Sequence, residues 1–202
     1  MDVENFGQKI VRVTFYTHPA CKVSWDMQNQ WRLFVDNFRD TISYQFCMTS
    51  IGPDRAEAPV RKAPAAPDTM SSFQSCLAVK AAELQSPTAA DLFLEKLRYA
   101  RNVEELDISQ PAALVDVARQ TSKEHSGRFS FHKFADDFYC RDSRRALKSD
   151  LQKQFSNKIE IVPTLTLTVG GKGVKLTGYQ SYEQLSQALH RLQGSTGVLG
   201  AF

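Results

Sequence analysis

The chain has 202 residues, 42% hydrophobic and 23% charged, the balance of a soluble globular protein large enough for one good core with an insertion, or for two small lobes. Its formal net charge is only +3 and no Lys/Arg run concentrates it, which argues against nucleic acid or an anionic membrane as a partner. No apolar run approaches the roughly 20 residues that span a bilayer. Met1 to Gly7 lack the basic start and apolar run of a secretory signal, so a cytoplasmic location is expected, with Cys21, Cys47, Cys76 and Cys140 as thiols.

Ile10 to Tyr16 is β-branched and aromatic and reads as a buried strand. Val23, Met27, Trp31, Phe34, Val35 and Phe38 then fall at helical spacing. Between them lies Thr17-His18-Pro19-Ala20-Cys21-Lys22-Val23-Ser24-Trp25, so Cys21 sits where a strand ends and a helix begins. A thiol at a helix start tends toward a reactive thiolate. His18 and Lys22, when positively charged, push the same way, and Pro19 suits the turn. Thr41 to Met48 alternates and reads as a second, parallel strand, completing a βαβ unit.

From Ile51 to Met70 the chain carries Gly52, Pro53, Pro59, Pro64 and Pro67 with several alanines and no apolar period. It reads as a long loop. Ser71 to Phe155 reads as four to five helices. Starts are expected near Ser86-Pro87 and Gln110-Pro111, with short turns around Phe129 to Tyr139 and a charged helix from Arg141. Ile159 to Thr168 reads as a strand, yet Pro163 lies inside it. Proline cannot donate to a sheet ladder, and a cis bond at the head of a strand is one reason for it to be there. Gly170-Gly171-Lys172 signals a hairpin into the strand Gly173 to Tyr179. Ser181 is a plausible N-cap for a last helix that Gly194 ends.

A thiol at a strand–helix junction, with Val162-Pro163-Thr164 opening a late strand, resembles the DsbA-like family of the thioredoxin fold, in its cytoplasmic, FrnE-like branch. Ser72 to Gln85, with Cys76-Leu77-Ala78-Val79-Lys80-Ala81-Ala82 at its centre, looks like this branch's entry helix. The resemblance implies an α/β thioredoxin fold, βαβ … ββα, with an all-helical insertion. The thioredoxin-like part would comprise 1–52 and 156–202, the Pro/Ala-rich loop 53–70 and the insertion 71–155. It also implies that Val162–Pro163 is cis and packs against Cys21.

Redox-active members of that family carry Cys-x-x-Cys, whereas this chain has Cys21-Lys22-Val23-Ser24. No disulfide can close across the motif. The expected activity is thiol–disulfide exchange through a single thiolate at Cys21, with Ser24 donating to it and Pro163 beside it. His18, Trp25, Val162 and Thr164 are expected to contact substrate. No cofactor and no metal are expected to be bound; glutathione is a possible co-substrate. The expected partner is a disulfide- or thiol-bearing protein or a small-molecule thiol, and both a monomer and a homodimer stay open. Cys76 is the best candidate for a distant pairing cysteine, although a small buried hydrophobe is its commoner role; Cys47 reads as core, and Cys140, in a charged exposed region, has no evident partner. Two other functions compete. One is a glutathione transferase or isomerase of the kappa type, whose members use a serine at the motif's start, where this chain has Cys21. The other is a redox-inactive binding or adaptor module.

Overall fold

The computed structural model describes residues 10–50 and 69–194. The loop expected over 53–70 lies outside the described residues except for its last two positions, Thr69 and Met70, which are already helical. The tail from Ser195 also lies outside them.

The first strand, β1 (Val11–Thr17), is bonded along both edges. The parallel strand β2 (Ile42–Met48) pairs with it from Val11↔Ile42 to Thr17↔Met48. On its other side β3 (Thr164–Val169) runs antiparallel, from Tyr16↔Thr164 to Arg12↔Thr168, and β4 (Lys172–Thr177) closes the order β2-β1-β3-β4. All of β1 except Arg12 is buried, as a strand covered on both faces requires. That explains its near-continuous run of Val, Thr, Phe and Tyr.

The helix after Cys21 is two helices, α1 (Lys22–Asp26) and α2 (Gln28–Phe38), interrupted at Met27. The single apolar period across this stretch predicts one helix. The interruption falls where Met27 turns its thioether to accept the Gln180 N–H at 3.3 Å and where Gln28 turns its side chain to Arg98. Tertiary partners at two successive residues outweigh the uniform local preference.

Among the described residues five helices stand between β2 and β3: α3 (Thr69–Glu83), α4 (Pro87–Asn102), α5 (Pro111–Glu124), α6 (Phe131–Asp137) and α7 (Arg141–Ser156). Their starts follow local chemistry. Ser86 accepts from the Ala89 N–H with Pro87 at the first helical position, and Ser130 accepts from the Lys133 N–H. Cys140 caps α7, its sulfur accepting from the Ser143 N–H at 3.4 Å, so the cysteine without an evident partner has a local structural one. The last helix, α8 (Tyr182–Gly194), starts on a capping box: Gln184 N–H donates to Ser181 Oγ, and Ser181 N–H donates to Gln184 Oε1. The β3–β4 turn places Gly170 and Gly171 at φ 54° and 79°, the two positive values that a two-residue hairpin turn demands.

One apolar core runs from the sheet into the inserted helices. At its centre Trp31 meets Phe15, Tyr44 and Phe46 edge-on at 5.0, 5.4 and 5.9 Å. Its indole N–H donates to Asp91 of α4. In the inserted helices Phe93, Phe129 and Phe134 pack together. A buried ionic knot also fastens the two parts. Lys80 of α3 pairs with Glu83 and with Asp150 of α7, and its ammonium donates to the Phe46 carbonyl of β2. Asp150 accepts the Met48 N–H at 2.9 Å.

A shared core predicts a shared transition. Phe93→Ala, deep in the inserted helices, should cost about 3–5 kcal/mol. It should lower the urea midpoint equally by far-UV circular dichroism and by tryptophan fluorescence. Two separated midpoints would refute the common core.

Candidate active site

Cys21 is the N-cap of α1, with extended backbone (φ −76°, ψ 114°), one turn beyond the end of β1. Its N–H donates to the His18 carbonyl, closing the His18-Pro19-Ala20-Cys21 turn. From the other side of the chain comes the Val162–Pro163 bond, which is cis. Just past Pro163, β3 enters the ladder. Gly178 N–H donates to the Pro163 carbonyl at 2.8 Å, and Thr164 Oγ1 donates to the Ile161 carbonyl at 2.8 Å. These bonds fix the turn, and the Val162 carbonyl faces Cys21 Sγ at 3.7 Å. Tyr16, Cys21, Cys47, Ile159 and Val162 form a small apolar cluster of their own, apart from the main core. Cys21 is 1% exposed.

His18 is the clearest correction to the sequence reading. In the sequence reading His18 favours the thiolate only when positively charged. The ring is 1% exposed, and its Nδ1 accepts the Ala20 N–H at 3.0 Å. Burial, and then the Arg101 and Arg98 guanidinium groups, push its pKa down to about 4. It is neutral near pH 7 and shapes the turn. Lys22 is exposed and engaged with Asp26.

Ser24 is fully buried, and its Oγ accepts from Thr17 Oγ1 at 2.9 Å. Thr17 Oγ1 in turn accepts from Arg98 Nη2 at 2.6 Å. The serine is therefore the end of a polar chain that starts on α4, a connection that nothing in its own neighbourhood of sequence signals. Trp25 is half-buried, lies edge-on to Tyr99 at 6.3 Å, and lines a cavity of about 180 Å³ with Leu92, Glu95, Lys96, Glu124 and His125. Thr164 is buried and bonded within its own turn. Of the expected site residues, Cys21, Val162 and Pro163 come together, Ser24 is bonded to Thr17 where a bond to Cys21 was expected, and Trp25 faces the inserted helices.

Cys76 and Cys47 are both buried, as their sequence settings predict. Cys76 belongs to the main core, with Sγ 3.9 Å from the Thr49 carbonyl. Cys47 shares the Cys21 cluster and donates to the Asp150 carbonyl at 3.4 Å. Burial raises the pKa of both thiols, which keeps them protonated. No group of three or more His, Cys, Asp or Glu side chains among the described residues has the arrangement to hold a metal ion, and no helix among them is long and apolar enough to cross a membrane.

The thioredoxin family model matches residues 15–187. The ClpXP adapter protein SpxH of Halalkalibacterium halodurans is 29% identical over 127 residues, covering 61% of this chain and 40% of that protein. The chain thus spans well under half the length of the curated relatives it matches. Among solved structures, a candidate protein disulfide isomerase of Nitrosomonas europaea superposes with a TM-score of 0.74 at 14% identity, over 93% of this chain and 99% of that one. The cytosolic disulfide reductase DsbM of Pseudomonas aeruginosa superposes with a TM-score of 0.63 at 14% identity, over 93% and 99%. At such identities the superpositions speak for the DsbA-like thioredoxin fold.

The state of His18 makes stability depend on pH. Its folded pKa of about 4 lies below the unfolded 6.5, so the unfolded chain binds the proton first. The stability is complete above pH 6.5 and is lost as pH falls toward 4, by about 3 kcal/mol. Urea midpoints measured across that interval should fall for the wild type and fall less for His18→Asn, whose side-chain oxygen still accepts the Ala20 N–H. Parallel curves would contradict the assignment.

Proposed function

The chain belongs to the thioredoxin family, with a DsbA-like fold, and we propose that Cys21 is its working nucleophile, exchanging disulfides through one thiol. The observation that carries this reading is the placement of Cys21 at the β1–α1 junction with its sulfur against the Val162 carbonyl. In the proposed cycle the Cys21 thiolate attacks one sulfur of a disulfide R–S–S–R′. A Cys21–S–S–R bond forms, the original S–S bond breaks, and R′–S⁻ leaves with its electron pair. A second thiolate, R″–S⁻, then attacks the sulfur of R. The product R–S–S–R″ departs and Cys21 is regenerated as thiolate.

Ser24 stands where a resolving thiol would stand, so release depends on that second thiol from outside. Glutathione is the proposed small-molecule thiol, and a disulfide- or thiol-bearing protein the proposed macromolecular substrate. A reducing cytoplasm would supply the first in excess. In this scheme Val162 and Pro163 flank the mixed disulfide, and Trp25 borders the neighbouring cavity. Since Cys21 is nearly covered, a local opening must precede attack, and exchange should be slower than at an open thiol.

Similarity to ClpXP adapter proteins favours a second reading. The chain would then hold a protein partner on the same fold without chemistry at Cys21.

Incubation with oxidised glutathione separates the two. The first reading expects one glutathione per chain by intact mass, mapped to Cys21 and removed by reduced glutathione. It also expects Cys21→Ala to slow exchange with a small disulfide at least about tenfold, a barrier change of roughly 1.4 kcal/mol or more. Equal rates in Cys21→Ala and wild type would sink the thiol reading and leave the adaptor reading standing.

A further inference from the structure

Arg98 is a charge in an expensive place. It lies on α4 and is fully buried. Removing a guanidinium from water costs several kcal/mol unless it is paired and fully bonded. Yet none of the ion pairs among the described residues includes it. Its Nη1 donates to Gln28 Oε1 and its Nη2 to Thr17 Oγ1, both neutral acceptors. Its Nε is buried without an acceptor. The guanidinium sits 5.8 Å from the centre of the Phe15 ring. The carboxylates in its field are Asp91 and Glu95. Burial raises Asp91 to about 6, and Glu95 is taken by Arg32.

The polar chain from this cation runs toward the thiol site. Arg98 donates to Thr17 Oγ1, and Thr17 donates to Ser24 Oγ. The Ser24 oxygen is thereby used as an acceptor. Its own proton has no acceptor among the described residues, three residues on from Cys21. The charged and titratable groups around Cys21 leave Arg98 as the buried charge without an ionic partner beside the motif. Tyr16 on β1 and Cys47 on β2 are raised by burial and stay protonated. His18 is neutral near pH 7, Asp150 of α7 is committed to Lys80, and Lys22 on α1 is exposed and held by Asp26. Arg101, half-buried on α4, adds to the same sign. Burial lowers Arg98 to about 10 even though its electrostatic interactions with Cys21, Asp91 and Glu95 each offset part of that burial.

We propose that Arg98 is a positioning residue of the Cys21 site: it supplies the buried counter-charge for the Cys21 thiolate and, through Thr17, holds Ser24 of the same motif in place. The proposal rests on the reading of Cys21 as a nucleophile. It assigns a role in the chemistry to a helix between β2 and β3, and it accounts for a cation left among neutral partners. An opposite charge close by favours a charged form by one to three pK units, and a fixed guanidinium deep in the protein is screened little by salt.

The test is the rate of iodoacetamide labelling of Cys21 in the full chain, read by mass spectrometry from about pH 5 to 9 against the other three cysteines. Arg98→Met should move the midpoint of the Cys21 profile up by roughly one to three pH units and slow labelling at pH 7 at least about tenfold. Arg98→Gln, which keeps amide donors for Gln28 and Thr17 without the charge, should do the same and serves if the methionine variant does not fold. Arg98→Lys, which keeps the charge, should hold the profile within about half a unit of wild type. Profiles of the Met or Gln variants that superpose on wild type would overturn the proposal while leaving Cys21 reactive. So would a Lys variant displaced as far as the neutral ones. A wild-type Cys21 that labels no faster than Cys47 and Cys76 at every pH would overturn both this proposal and the nucleophile reading beneath it.

Discussion

The antiparallel pairing of β1 with β3 makes one site from two segments 141 residues apart in sequence. With Tyr16 opposite Thr164, the residue pair just outside the ladder is the turn after β1 and the Val162–Pro163 bond before β3. A slip of one residue would send every β3 side chain to the other face. Such a slip is blocked by burial, since Leu165 and Leu167 are core and the intervening positions are not. The site therefore inherits its geometry from core packing. Its own bonds, from Gly178 to Pro163 and from Thr164 to Ile161, fasten what the ladder has already aligned.

The helices between β2 and β3 are joined to that sheet by polar contacts as much as by apolar ones. Trp31 reaches Asp91, Thr17 and Gln28 reach Arg98, and Phe46 and Met48 reach the Lys80–Asp150 pair. Buried polar contacts of this kind are costly to leave half-made. They select one docking arrangement from the many that apolar surfaces alone would tolerate. The electrostatic surroundings of Cys21 consequently belong to the whole molecule and not to the short motif that contains it.

Much of the fold was legible in the sequence because local rules and tertiary demands agree there. The β-branched run of β1, the paired glycines before β4, Pro87 and Pro111 at helix starts and Ser181 as an N-cap all act within a few residues of themselves. Cys21 and Pro163 were legible for a similar reason, a thiol at a strand–helix junction and a proline where a strand should not have one. The rest depended on partners remote in sequence. His18 helps a thiolate only if it is charged, and the structure shows a ring held neutral by burial and by the charges of Arg101 and Arg98. The interruption at Met27 has no local breaker and arises from Gln180 and Arg98. Arg98 itself stands in an ordinary amphipathic helix. The one signal that could have found it is that it falls on the stripe of Phe93, Leu94 and Leu97, where a long charged side chain is out of place.

The exposed strand β4 carries a consequence for life at high concentration. Among the described residues it forms one edge of the sheet, and an open edge invites the same edge of another copy. This one is six residues long, carries Lys172 and Lys175, and ends at a glycine with φ near 80° that turns the chain away. Two such edges meeting would set ammonium groups against each other and would run out of ladder almost at once. Among the described residues β4 is thus an edge whose charge and short length disfavour fibre-like self-pairing.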